Sequence, residues 1–163
     1  MFPSDLFQFA LEASSVPKGL PLVAGLTGFA DAGGAVSQVN KYMFDTLDYE
    51  RVGVFSNDEL IDYRARRPLF QFEETSLTSY EPPRLSLDLV KDELGSQFLF
   101  LSGYEPDFRW DQVTAVVLDL VERFDVSSST WVHAIPMPVP HTRSLGVTVS
   151  GNRGEITDAL SVW

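Results

Sequence analysis

Apolar positions along this chain follow two periods, two and three-to-four, and the switch between them marks its elements. Leu20-Pro-Leu-Val-Ala-Gly-Leu26 is almost continuously apolar, the pattern of a short strand covered on both faces. From about Gly34 to Leu47, the side chains of Ala35, Val36, Val39, Met43, Phe44 and Leu47 recur at helical spacing and predict an amphipathic helix lying on a sheet. Strand character returns from Arg51 to Phe55 and, after a short turn, from Leu60 to Tyr63. Phe70 and Phe72 alternate with Gln71 and Glu73, which predicts an edge or solvent-facing strand, and Tyr80-Glu-Pro-Pro83 then breaks the pattern as a stiff extended segment. Leu85, Leu87 and Leu89 alternate with Ser86, Asp88 and Val90, predicting a half-buried strand, whereas Gln97 to Leu101 is apolar enough for a central one.

Ser102 to Asp107 reads as a loop, with Asp107 as the N-cap of a second helix carrying Val113, Val116, Val117, Leu120, Val121 and Phe124. A strand from Thr130 to Ile135 follows, then a proline-rich segment, a further short strand from Gly146 to Ser150, and a helix opening at Gly154. Strands alternating with helices imply βαβ units with right-handed crossovers, hence an α/β fold with a mostly parallel, doubly wound sheet. No repeat or linker divides residues 1–163, so one domain is expected. The helical pattern still running at Trp163 reads as part of a longer chain.

Composition narrows the classes. Of 163 residues, 44% are hydrophobic and 21% charged, a globular balance. No apolar run nears the roughly 20 residues of a membrane span, and Met1 to Asp5 lacks the basic start of a secretion signal. The absence of cysteine removes disulfide and thiol chemistry and fits a reducing compartment, so the cytoplasm is the expected location. A net charge of −11 argues against nucleic-acid binding, which draws on phosphate neutralisation. The one basic cluster, Arg64-Ala-Arg66-Arg67, reads more readily as a solvated loop or partner contact than as an anion grip. Two histidines without cysteine give no zinc pattern, no calcium loop is present, and no cofactor is expected.

In a parallel sheet the binding crevice lies beyond the carboxyl ends of the strands. Three loops qualify, Gly28 to Gly34, Gly103 to Asp107 and Pro136 to Arg143, and they offer Asp31, Tyr104, Glu105, His141 and Arg143. The first loop is not a phosphate cradle. Gly25 and Gly28 lack the dinucleotide spacing; Gly28 and Gly33 have P-loop spacing, but Gly34-Ala35 stands where lysine and a hydroxyl residue are needed. Asp31 would also repel a phosphate about 4 Å away by about 1–4 kcal/mol. Two readings of Asp31 stand: a cap on the following helix, with Gly28, Gly33 and Gly34 serving backbone conformation and close packing, or a binding group. Likewise His141, stiffened by Pro136, Pro138 and Pro140, is either an acid/base with Arg143 as anion clamp, or part of a loop that Arg143 ties to Asp31 or Glu105. His133 reads as a packed core or interface residue within its strand. No Gly-x-Ser-x-Gly elbow exists.

Three segments in order carry a family resemblance: Gly28-Phe-Ala-Asp31-Ala-Gly33, Phe98-Leu-Phe-Leu-Ser-Gly-Tyr-Glu-Pro-Asp-Phe-Arg-Trp110, and Pro136-Met-Pro-Val-Pro-His-Thr-Arg143. Together they resemble the proteasome assembly chaperone 2 family in its actinobacterial form, from about Leu20 to Val149. Ser144 stands where proline is expected, and Phe29 where the wider family has tryptophan. The resemblance implies a three-layer α/β/α fold similar to purine nucleoside phosphorylases and related hydrolases. It also implies a full chain nearer 300 residues, of which this is the first half or so. Eukaryotic relatives are assembly chaperones for proteasome α subunits. The leading expectation is therefore a non-enzymatic interaction or assembly module, a homo-oligomer (a trimer among the allowed states) with an unidentified protein partner. The alternative is an enzyme for a small anionic or nucleoside-like ligand, with Asp31, Glu105, His141 and Arg143 converging on one pocket.

Overall fold

A computed structural model describes residues 5–28 and 30–160. Six strands form one sheet: β1 (Phe7–Phe9), β2 (Leu22–Thr27), β3 (Asp48–Phe55), β6 (Ser86–Lys91), β7 (Gln97–Tyr104) and β8 (Ser129–Trp131). Two more, β4 (Leu69–Glu73) and β5 (Ser76–Glu81), form a separate antiparallel hairpin. The helices are α1 (Ala35–Thr46), a single turn α2 (Asn57–Leu60), α3 (Trp110–Arg123) and α4 (Gly154–Leu160).

The large sheet has the order β1-β3-β6-β7-β2-β8. β2 pairs in parallel with both β7 and β8, while β1–β3, β3–β6 and β6–β7 are antiparallel. Four strands, β3, β7, β2 and β8, thus point one way and two, β1 and β6, the other. The expectation of a mostly parallel sheet holds for strand direction, but adjacent parallel pairing is confined to β7–β2–β8. For β6 and β7 the reason is connection length. A parallel pair needs a crossover of a dozen or more residues, and only Asp92 to Ser96 separates β6 from β7. That turn is held by Asp92, whose carboxylate accepts from the backbone N–H groups of Leu94 (2.9 Å) and Ser96 (2.7 Å).

Side chains alternate across a strand, and the two faces are covered by different helices. On one face Leu22, Leu26, Leu87, Leu99 and Leu101 pack beneath Val113, Val116 and Leu120 of α3. On the other, α1 lies over β2 and β7. Val36 is fully buried there, and the Phe44 ring sits 5.8 Å from that of Phe100. α1 approaches closely because Gly25 has no side chain: Asn40 donates from Nδ2 to the Gly25 carbonyl at 3.0 Å, in space a Cβ would occupy. Helix, sheet and helix make three layers, and the α/β class is as the pattern implies.

Local departures have local causes. Leu60 to Tyr63 does not continue a strand. Asn57 donates to the Pro83 carbonyl (2.6 Å) and accepts from the Tyr104 hydroxyl (2.7 Å), and this anchoring folds the chain into α2 and buries Leu60 and Ile61. β7 runs on to Tyr104, so the predicted loop begins later. Asp107 does not cap α3. Its Oδ2 accepts from the Asp62 N–H and its Oδ1 pairs with Arg66, both at 2.9 Å, and Arg109 occupies the cap position with φ of 58°. β6 is buried on both faces rather than half-buried. β8 ends at Trp131, with one further bridge from Ala134 to Asp31, and residues 146–150 form no strand. The predicted last helix is α4; residues 161–163 and Phe29 lie outside the described residues.

Candidate functional site

β2 leads through α1 to β3 on one side of the sheet order, and β7 leads through α3 to β8 on the other. The two outgoing connections run in opposite directions and cross on opposite faces of the sheet, leaving their loops together at the ends of β2 and β7, the place beyond which open α/β sheets form a crevice. The two strand ends are tied across it. Thr27 donates from Oγ1 to the Gly103 carbonyl at 3.0 Å, and the Glu105 N–H donates to the Thr27 carbonyl at 2.8 Å.

Two of the predicted residues stand at this crevice. The Glu105 side chain lies against Gly28, where any Cβ would collide with its carboxyl group. Asp31 reaches over the following turn to cap α1: Oδ1 accepts from the Val36 N–H at 2.8 Å, and Oδ2 accepts from the Ser37 N–H at 3.1 Å and the Ser37 hydroxyl at 2.6 Å. Gly33 and Gly34 make that turn with φ of 66° and 67°, the left-handed region glycine enters without cost. The Ser37 hydroxyl first, and then the two N–H groups, hold the Asp31 carboxyl below the usual aspartate range despite some desolvation. A carboxylate so engaged stays ionised and is poorly suited to proton transfer near neutrality.

His141 and Arg143 stand apart from this arrangement. Both are exposed on the segment between β8 and α4, and neither side chain enters a hydrogen bond or ion pair among the described residues. Arg143 therefore does not tie this loop to Asp31. The histidine whose charge reaches Asp31 is instead His133, exposed just past β8 rather than packed in a core. Its proximity follows from the Asp31–Ala134 bridge, a pairing that no local spacing announces. Among the described residues no group of three or more acidic or histidine side chains is placed to hold a metal, and no helix is long and apolar enough to cross a membrane.

A second concavity, missed in the sequence, opens at the end of β3. This cleft of about 340 Å³ is lined by Asn57, Asp58, Tyr63, Tyr80, Pro83 and Arg84, among others. Beside it, Asn57 is held by its bonds to Pro83 and Tyr104, and Arg66 stacks over the Tyr104 ring at 5.6 Å. Burial pushes the Tyr104 hydroxyl far above the usual phenol range, so it serves as a donor and not as an acid.

Tyr80 continues this cleft onto the hairpin. Register places Phe72 opposite Leu77, and the Phe70 and Tyr80 rings lie 5.1 Å apart, so the four share one face. Gln71, Glu73, Ser76 and Thr78 occupy the other. The apolar face is open, with Phe70 52%, Phe72 70%, Leu77 66% and Tyr80 57% exposed.

A three-layer α/β domain with its candidate loops at the carboxyl ends of β2 and β7, and an amphipathic hairpin set apart from the sheet, defines the class. This chain belongs to the PAC2 family, whose model matches residues 25–163. It is similar to a Mycobacterium tuberculosis protein of unknown function (36% identity, TM-score 0.89, 95% of this chain and 55% of that one). It is also similar to a Corynebacterium glutamicum protein of unknown function (34% identity, TM-score 0.80, 96% and 67%). A proteasome-assembly chaperone homologue from M. tuberculosis shares the fold at 19% identity, with a TM-score of 0.68 over 76% of this chain and 53% of that one. The chain spans about half the length of the first of these relatives. Among curated proteins none matches.

Proposed function

We propose that this chain is a protein-interaction module of the assembly-chaperone kind, non-enzymatic and acting as a homo-oligomer in the cytoplasm. The observation that carries the reading is the open apolar face of the hairpin. Four large apolar side chains on one face and polar ones on the other form a contiguous patch of the kind that marks protein contacts on a folded surface. Family membership and the shared fold with a proteasome-assembly chaperone homologue support it. So does the state of Asp31, whose oxygens are already engaged by the helix. The lack of cysteine supports the location.

The test is cross-linking in native cells followed by mass spectrometry, with the wild-type chain and a Phe72→Asp variant. The wild type is expected to cross-link to specific proteins or to itself, and the variant to lose those contacts while keeping its circular dichroism. A wild-type chain that stays monomeric and cross-links to nothing overturns the reading.

The adjoining carboxyl ends of β2 and β7 favour a second reading, an enzyme that binds a small anionic or nucleoside-like ligand at Asp31 and Glu105, with His141 and Arg143 brought over on binding. That reading requires a thermal shift with a nucleoside probe that His141→Ala abolishes. An unchanged melting temperature across nucleosides and inorganic phosphate removes it.

A further inference from the structure

The cleft at the end of β3 has a wall held in place by a hydrogen-bonded turn and a rim of unpaired positive charge. The Asp62 carbonyl accepts from the N–H groups of Ala65 (3.0 Å) and Arg66 (2.9 Å), and its carboxylate accepts from the Arg64 N–H at 2.9 Å. Arg66 is pinned to Asp107. This turn follows directly on Tyr63 of the cleft wall and leaves Arg64 and Arg67 exposed. Arg67 stands two residues before Leu69, whose strand partner Glu81 adjoins Tyr80 and Pro82 of the opposite wall. Arg84 lines the cleft itself. All three arginines are exposed, and none forms an ion pair among the described residues.

The interior is mostly ring surface. Tyr63, Tyr80 and Pro83 face a volume of about 340 Å³, at the low end of the roughly 300–1,000 Å³ of ligand pockets and enough for one large side chain. Asp58 is the acid among the lining residues, and its Oδ1 is taken by the Tyr63 hydroxyl at 3.3 Å. Burial first, and then Asp58, raises that hydroxyl above the usual phenol range, so Tyr63 adds no negative charge. Pro82 and Pro83 have no N–H, so their wall is no template for an added strand, and recognition falls to rings and charges.

We infer that this cleft docks an acidic segment of another protein, with one aromatic side chain between Tyr63 and Tyr80 and flanking carboxylates on Arg84, Arg64 and Arg67. The contact rests on the interaction-module reading and gives the partner its chemistry. Charge decides the class. In a chain of net charge −11, three arginines left unpaired at one place are where an acidic partner meets attraction rather than repulsion. Clustered arginines are a recurring means of reading acidic motifs. The cations also continue outside the cleft along residues 64–67, which suits an extended segment better than a compact ligand. The turn that carries them is already ordered, so little freedom is lost on binding.

Two-dimensional amide NMR of the isotope-labelled chain tests this with three peptides: Gly-Asp-Glu-Tyr-Glu-Asp-Gly, the same peptide with alanine for tyrosine, and the same peptide with lysine for every acid. The first is expected to shift the signals of residues 55–63, Tyr80 and Arg84 in a saturable way. The alanine peptide should bind about tenfold more weakly, as loss of a central aromatic anchor does, and the lysine peptide should not bind. Arg84→Glu is expected to weaken the first peptide by about tenfold or more, and Tyr80→Ala by about the same factor. Both side chains are exposed, so the rest of each spectrum should stay that of the wild type. Lys18→Glu, ahead of β2 at the other end of the sheet, makes the same change in net charge and should alter affinity by no more than about twofold, because distant charges are screened. No saturable shift with the first peptide, equal binding of the lysine peptide, equal losses from Lys18→Glu and Arg84→Glu, or shifts confined to other residues overturns the site. The cross-linking experiment decides the interaction-module reading separately: a chain that cross-links to specific proteins yet binds no peptide loses this site alone.

Discussion

β6 and the β4–β5 hairpin carry the same alternation and meet opposite fates. Leu87-Asp88-Leu89 in β6 and Phe70-Gln71-Phe72 in β4 both place apolar side chains on one face and polar ones on the other. β6 lies between β3 and β7, and Ser86 through Val90 are all buried. In the hairpin every residue of β4 is exposed, and only Thr78 of β5 is partly covered. Alternation fixes which side chains share a face and leaves open what covers each face. Where the polar face is also covered, its groups must find partners, because an unpaired buried polar group is costly. Asp88, wholly buried, does so: it accepts from Arg51 Nε at 2.9 Å and from the Ser86 hydroxyl at 2.7 Å. The hairpin's Gln71, Glu73 and Thr78 face water and need no such network.

The largest contrast follows from that network. Asp88→Ala leaves Arg51, 24% exposed, without its counter-ion and is expected to destabilise the fold by about 3–5 kcal/mol. Urea unfolding followed by circular dichroism measures it. A loss below about 1 kcal/mol, the range of an exposed pair, would show that β6's second face is wetter than described. The pH dependence has a sign as well. Burial raises the Asp88 carboxyl above its ordinary value, outweighing Ser86 and Arg51. The native state then holds a proton that the unfolded chain has lost, so this group's contribution falls as pH rises from the ordinary aspartate value through the raised one.

Next in size is the strand-end crevice, halfway between sheet and surface. Gly28→Ala drives a methyl group into the Glu105 carboxyl and is expected to cost about 1–3 kcal/mol, as overpacking does. Adding Glu105→Ala should recover most of that loss. A double-mutant cycle without coupling would mean that Glu105 swings clear freely and that the crevice is looser than the sheet.

A smaller effect is expected at Asp31. Asp31→Ala removes the cap from α1 at a cost of about 1 kcal/mol. Its pH sign is opposite to that of Asp88. The folded carboxyl lies below the ordinary value, so its contribution is complete above that value and is lost as pH falls through the lower folded one. Unfolding midpoints of the wild type and Asp31→Asn between neutral and acid pH should converge at the acid end. Parallel curves would remove Asp31 from the balance.

The elements read directly from the chain are those whose covering partner is helical or central: β2, α1, β7 and α3 each show a periodic apolar signal long enough to stand alone. What escaped detection depended on distant contacts. Phe7–Phe9 is too short to signal a strand and becomes β1 only by pairing with Gly53 to Phe55. Ser76–Glu81 carries no period of two, since Leu77 and Tyr80 stand three apart, and only the bulge between Leu69 and Gln71 and the positive φ of Ser79 bring them to one face. In the candidate site, the first loop and Glu105 were legible because strand ends are legible. The neighbourhood of His133 was not, since it arises from a bridge between residues 103 positions apart (134 − 31). The cleft beside Tyr63 and Tyr80 also draws its walls from two distant segments, with no motif to mark it.

The smallest effect completes the contrast. Phe72→Ala deletes a large aromatic side chain, a change that costs about 3–5 kcal/mol in a packed core. Phe72 is 70% exposed, and a two-stranded hairpin on its own is at best marginally stable. Little native packing is lost, so the dilute monomer should change in stability by no more than about 0.5 kcal/mol, as exposed substitutions generally do. The measurement must be made at two protein concentrations. If the face is covered by a second copy, the wild-type melting temperature rises with concentration, because association stabilises by mass action, whereas that of Phe72→Ala does not. A loss of several kcal/mol at high dilution would instead mean that this face packs within its own chain. The hairpin would then be a second β6, covered on a side where its alternation alone shows only that four apolar side chains meet.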